Sequence, residues 1–163
     1  MTKKDEWYQN RILWQAQKHK LFEQNRCYHF SDLSEEQISF INKTVSKNIN
    51  PLVVFWDSQE KWTVLGTRAI CSFHGGNLVF AKLDKIKELN IFHPPDATVR
   101  EIKLESEFLS LDSHNKKLIW TPSGGACLFG LTGILRMFPL GVPACQGSMM
   151  NYIRCLIETL LTR

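Results

Sequence analysis

Cys71 and His74 stand three residues apart in the stretch Ala69-Ile70-Cys71-Ser72-Phe73-His74-Gly75-Gly76. A thiol and an imidazole can act as nucleophile and base, or as two metal ligands. An extended chain points residues at odd spacing to opposite faces, so a strand through this stretch separates the pair. Cys27 and His29 form a second couple at i, i+2, which an extended chain places on one face. A zinc site pooling Cys27, His29, Cys71 and His74 needs their two loops side by side. The reading adopted is buried thiols and turn histidines, with no catalytic residue, no metal and no cofactor.

The other polar constellations are weaker. Glu101, Lys103, Glu105 and Glu107 alternate with Ile102, Leu104 and Phe108 over 98–111, the pattern of a half-buried strand with a solvated charged face. Ser123-Gly124-Gly125-Ala126 and Gly130-Leu131-Thr132-Gly133 are glycine-rich but lack the Lys-Ser/Thr of a phosphate loop. Those glycines suit close packing of 126–138. Lys3, Lys4, Lys18 and Lys20, with Lys43, Thr44 and Lys47, read as solvated helix faces.

Residues 3–24 read as a helix with Trp7, Trp14 and Leu21 at a spacing of seven. A second helix starts at Ser34, where Gln37 completes a capping box and Leu33 with Ile38 a hydrophobic staple. Its apolar stripe is Ile38, Ile41 and Val45, and Asn48, Asn50 and Pro51 end it. The run from Leu52 to Leu89 then reads as a meander. Strands are expected at 52–56, 62–73 and 78–83, joined by Asp57–Glu60 and by His74-Gly75-Gly76-Asn77. A short strand or single helical turn is expected at 84–89. Strands at 98–111 and 118–120 follow, then a helix or another hairpin at 126–138 and a helix at 148–163.

The chain has 163 residues, 44% apolar and 22% charged, which suits a globular core. A net charge of +4 is too small for a nucleic-acid binder. Five scattered cysteines behind a start without an apolar run indicate reduced thiols and a cytoplasmic protein. The apolar stretch 126–145 is interrupted by Arg136, Pro139 and Pro143, so no membrane span is expected. Beyond residue 121 the charged residues are Arg136, Arg154, Glu158 and Arg163, which marks a largely buried last quarter.

Lys61-Trp62-Thr63-Val64-Leu65-Gly66-Thr67-Arg68-Ala69-Ile70 resembles the second and third strands of pleckstrin-homology-like domains. Leu83-Asp84-Lys85-Ile86 resembles a piece found in bacterial and GRAM-like members. The likeness covers 51–163. It implies an α+β fold: an antiparallel roll stoppered by the C-terminal helix, with 1–50 a helical extension packed on it. Members that bind lipid headgroups cluster Lys and Arg at the first strand turn. Asp57 and Glu60 against one Lys61 stand there in this chain, so membrane or lipid contact is not expected.

The function expected is noncatalytic protein binding, to another protein or a second copy, with Trp7, Trp14, Trp62, Arg68 and His74 as candidate contacts. Two alternatives remain open. One is a small ligand or lipid in the mouth of the roll near Trp62, Arg68 and His74. The other is a Cys71/His74 enzyme or zinc site.

Overall fold

A computed structural model describes residues 2–46, 49–111, 117–122 and 125–138. Pro51–Ser58 (β2), Lys61–Gly66 (β3), Ala69–His74 (β4) and Asn77–Lys82 (β5) form the antiparallel meander. Cys27–His29 (β1) pairs with β2 on its outer side, so the first sheet runs β1-β2-β3-β4-β5. The Gly-Gly hairpin forms as expected, with Gly75 and Gly76 both at positive φ. The strand expected over 62–73 is two strands. Gly66 lies so close to the backbone of Ile49 and Asn50 that no side chain fits, and the chain turns through Thr67 and Arg68.

A second sheet has the order β6-β7-β8, from Leu89–Phe92 (β6), Phe108–Leu111 (β7) and Lys117–Trp120 (β8). The described α-helices are Lys3–Lys18 (α1), Glu35–Thr44 (α2), Val99–Glu105 (α3) and Ala126–Leu135 (α4). The fold is therefore α+β with two antiparallel sheets, and neither closes into a barrel. That overturns the pleckstrin-homology-like roll.

The physical reason lies at Thr98. Its hydroxyl accepts from the Glu101 amide (3.3 Å), and the Glu101 carboxylate accepts from the Thr98 amide (2.7 Å). This capping box starts a helix where a long strand was expected. Only Phe108–Leu111 remains extended, and it pairs with β6 and β8 rather than with the meander. The charged face assigned to 101–107 disperses with it. The helix expected at 148–163 lies outside the described residues. No helix among the described residues is long and apolar enough to cross a membrane.

Two cores flank the first sheet. Val54, Trp62, Val64, Ala69 and Cys71 face Leu33, Ile41 and Val45 of the α2 layer. On the other side Val53, Phe55, Leu65 and Ile70 meet Ile12 and Ala16 of α1, Leu128 and Leu131 of α4, and Leu109, Ile119 and Trp120 of the second sheet. A bulge between Pro51 and Val53 turns Leu52 and Val53 into this same core. Helix α4 approaches closely because Gly130 sits against Leu21 and Gly133 against His19, with no space for a Cβ.

The two sheets dock through a polar seam. The Thr121 N–H donates to the Glu107 carbonyl (2.7 Å), so the next pair, Phe108 and Trp120, is non-hydrogen-bonded and the Trp120 peptide groups point away from β7. Its N–H donates to Ser72 Oγ (3.1 Å) and its carbonyl accepts from Thr63 Oγ1 (2.7 Å). The Thr63 proton is thereby engaged, which leaves Ser72 to donate across the 2.6 Å contact to Thr63. The result is a closed ring of three hydrogen bonds. His74 Nε2 adds a third cap on β8, donating to the Leu118 carbonyl (3.0 Å). Side chains of β3 and β4 thus satisfy the outer side of β8 as a neighbouring strand would.

Candidate functional site

Helix α1 begins at a capping box. Thr2 Oγ1 accepts from the Asp5 amide, and the Asp5 carboxylate accepts from the Thr2 amide (3.0 Å) and hydroxyl (2.8 Å). The same carboxylate grips Arg68 in a two-pronged pair, Nε to Oδ1 at 2.8 Å and Nη2 to Oδ2 at 2.6 Å. This clamp, with Ile12 and Ala16 buried below, fixes the rotation of α1 on the domain. The Arg68 guanidinium, then the Thr2 amide and hydroxyl, hold the Asp5 carboxyl well below the usual carboxylate range.

The clamp has a pH signature. A depressed folded pKa means its stabilisation is complete above the titration range of an unfolded aspartate, about 4, and is lost as pH falls below it. Urea unfolding of wild type and Asp5→Asn across acidic pH should show the wild-type advantage shrinking as pH drops. A constant advantage at every pH would mean that the Asp5 charge contributes nothing.

Because the inner face of α1 is Asp5, Ile12 and Ala16, the opposite face points outward. Trp7, Arg11, Trp14 and Lys18 fall within a sector of roughly 60° at 100° per residue. Trp7 is 55% and Trp14 47% exposed. The Arg11 guanidinium lies 5.1 Å and the Lys18 ammonium 5.3 Å from the centre of the Trp14 ring, and Trp7 meets Tyr8 edge-on. These cation–aromatic contacts hold the indole in place at the surface. Neither Arg11 nor Lys18 makes an ion pair among the described residues.

The other candidate residues do not join this face. Trp62 is fully buried under α2, stacked on Phe73 and edge-on to Phe40, with Nε1 donating to the Gln59 carbonyl. His74 caps β8. Arg68 lies on the rim of a cleft of about 520 Å³ with Lys4, Tyr8, Thr67, Phe80 and Phe138. Trp62, Arg68 and His74 therefore do not share a mouth.

Cys71 and His74 lie on opposite faces of β4, and burial pushes the Cys71 thiol up to about 11. Cys27 lies in the other core, where the neighbouring Cys127 sulfur and burial push its thiol up. The four residues of the pooled zinc arrangement are thus divided between two sides of the sheet. Among the described residues no three His, Cys, Asp or Glu side chains gather as metal ligands.

Arg11 is absent from the contacts expected from the sequence, although the 7, 11, 14, 18 spacing puts it on this face; the heptad of Trp7, Trp14 and Leu21 does not include it. Leu21 in fact leaves the helix, in a tight turn after Lys20 at φ 53°, and is fully buried. No protein-family model, no curated protein and no solved structure matches this chain.

Proposed function

We propose that this chain is a noncatalytic recognition domain that docks an acidic protein surface on the outward face of α1. The observation carrying the reading is the pair of half-exposed tryptophans on a helix otherwise clamped to the domain. Tryptophan and arginine are the residues most enriched at interface hot spots, and an indole already braced by cations loses little freedom on binding. Arg11 and Lys18 supply the charge that favours an acidic partner and orients it. The sequestered Cys71 and Cys27 thiols support the noncatalytic part.

The test is capture of protein partners from native extract by wild type and by Trp7→Ala/Trp14→Ala, followed by mass spectrometry and titration of the captured partner. Exposed substitutions of this kind should leave stability within about 0.5 kcal/mol. Affinity should fall about tenfold or more, as for loss of an anchoring tryptophan. Equal capture by both proteins would move the docking surface elsewhere. The Arg68 cleft supports a second reading, a small amphipathic ligand, and a co-purifying small molecule in place of a protein would favour it.

A further inference from the structure

A second surface on the same chain has the complementary chemistry. Between β6, α3 and β7 lies a groove of about 520 Å³ lined by Phe92, Asp96, Glu101, Ile102, Glu105 and Phe108. Its apolar lining includes Phe92, which is 43% exposed, with Ile102 and Phe108. Asp96 and Glu105 make no ion pair among the described residues. The groove therefore offers carboxylates around an apolar floor, while α1 offers indoles beside cations that make no ion pair among the described residues.

We propose that the partner of the α1 face is a second copy of this chain, with Trp7 or Trp14 seated in the groove between β6, α3 and β7. Arg11 and Lys18 lie against Asp96 and Glu105. This rests on the docking reading above and names its occupant. The sizes agree: Trp7 and Trp14 are about 10 Å apart along the helix axis, and the seven residues of α3 span about 10 Å. The contact is heterologous, since helix face and groove are different patches. One pairing leaves a free helix on one copy and a free groove on the other, so further copies can add until a ring closes.

Sedimentation velocity over rising protein concentration at low salt tests it on the whole chain. Wild type should grow beyond the monomer with concentration and return toward it at high salt, because the pairing charges are exposed and screened. Arg11→Glu/Lys18→Glu keeps only its groove, and Asp96→Asn/Glu105→Gln, whose neutral groove gives the reversed helix no opposite charge, keeps only its helix face. Each alone should stay monomeric, and an equimolar mixture should stop at two chains. Far-UV circular dichroism checks that both variants are folded, and the salt response of wild type needs no variant. A wild type that is monomeric throughout overturns the proposal, as does self-association retained in either folded variant or a mixture that stays monomeric. If wild type is monomeric yet another protein is captured through Trp7 and Trp14, the docking reading stands and only its occupant changes.

Discussion

Trp120→Ala is expected to lower the unfolding free energy by about 3–5 kcal/mol, the range for removing a fully buried large aromatic. The residue has no exposed surface and sits where the two sheets meet. Its indole Nε1–H donates to Glu107 Oε2 (3.2 Å), and the Lys61 ammonium lies 4.9 Å from its ring centre. Lys61 and Glu107 also pair with each other at 3.1 Å, so one indole supports an ion pair that bridges the sheets. Alanine would open a cavity there and leave Glu107 one donor short. Urea denaturation monitored by circular dichroism measures the loss. Trp120→Phe, which keeps most of the ring and drops the N–H, should fall between the two. A loss below about 1 kcal/mol for the alanine variant would mean that the sheets dock without this side chain.

Ser72→Ala and Thr63→Val should each cost about 1–3 kcal/mol, far more than a hydroxyl at the surface. Both residues are fully buried, and each serves one polar group of the Trp120 peptide. Losing Ser72 strands the Trp120 N–H, and losing Thr63 strands its carbonyl, both at fully buried positions. Valine keeps the branched shape of threonine, so its cost reports the hydrogen bonds. The two hydroxyls also bond to each other at 2.6 Å, so the double variant should depart from the sum of the singles. Equilibrium unfolding of all four proteins gives that coupling. Strict additivity would mean that the ring does not act as a unit.

The sequence was most legible where local chemistry and tertiary pairing agree. Ser34 and Gln37 cap α2 as their spacing indicates, and His74-Gly75-Gly76-Asn77 turns β4 into β5. The helical period after residue 126 is also found, over Ala126–Leu135. The misreadings have particular causes. Alternation over 98–111 pointed to a strand, yet Thr98 and Glu101 carry the same reciprocal cap that identified α2, and that cap decides the conformation. The strand expected over 62–73 ran unbroken through Gly66, but the close approach of Gly66 to the backbone of Ile49 and Asn50 ends it there, and that contact is made by a segment outside the run. Strand β1, three residues long, has too few positions for any period to show.

For the candidate site, Trp7 and Trp14 were legible because a helix with two tryptophans outside a sheet needs an explanation. Trp62, Arg68 and His74 were grouped on the premise of a roll, and two sheets scatter them. The seam of hydroxyls could not have been read from the chain. Serine and threonine in a strand look alike whether they face solvent or another peptide, and only tertiary contact separates the cases.

The ring at Trp120 also bears on the order in which the molecule assembles. Its bonds join residues 57 and 48 positions apart. The turns of the meander bring near neighbours together and can form at small entropic expense, whereas this closure must await both sheets. Docking therefore comes late along the folding route. Interactions made after the barrier slow the reverse passage without hastening the forward one, so Ser72 and Thr63 set how long the native molecule persists rather than how quickly it arises.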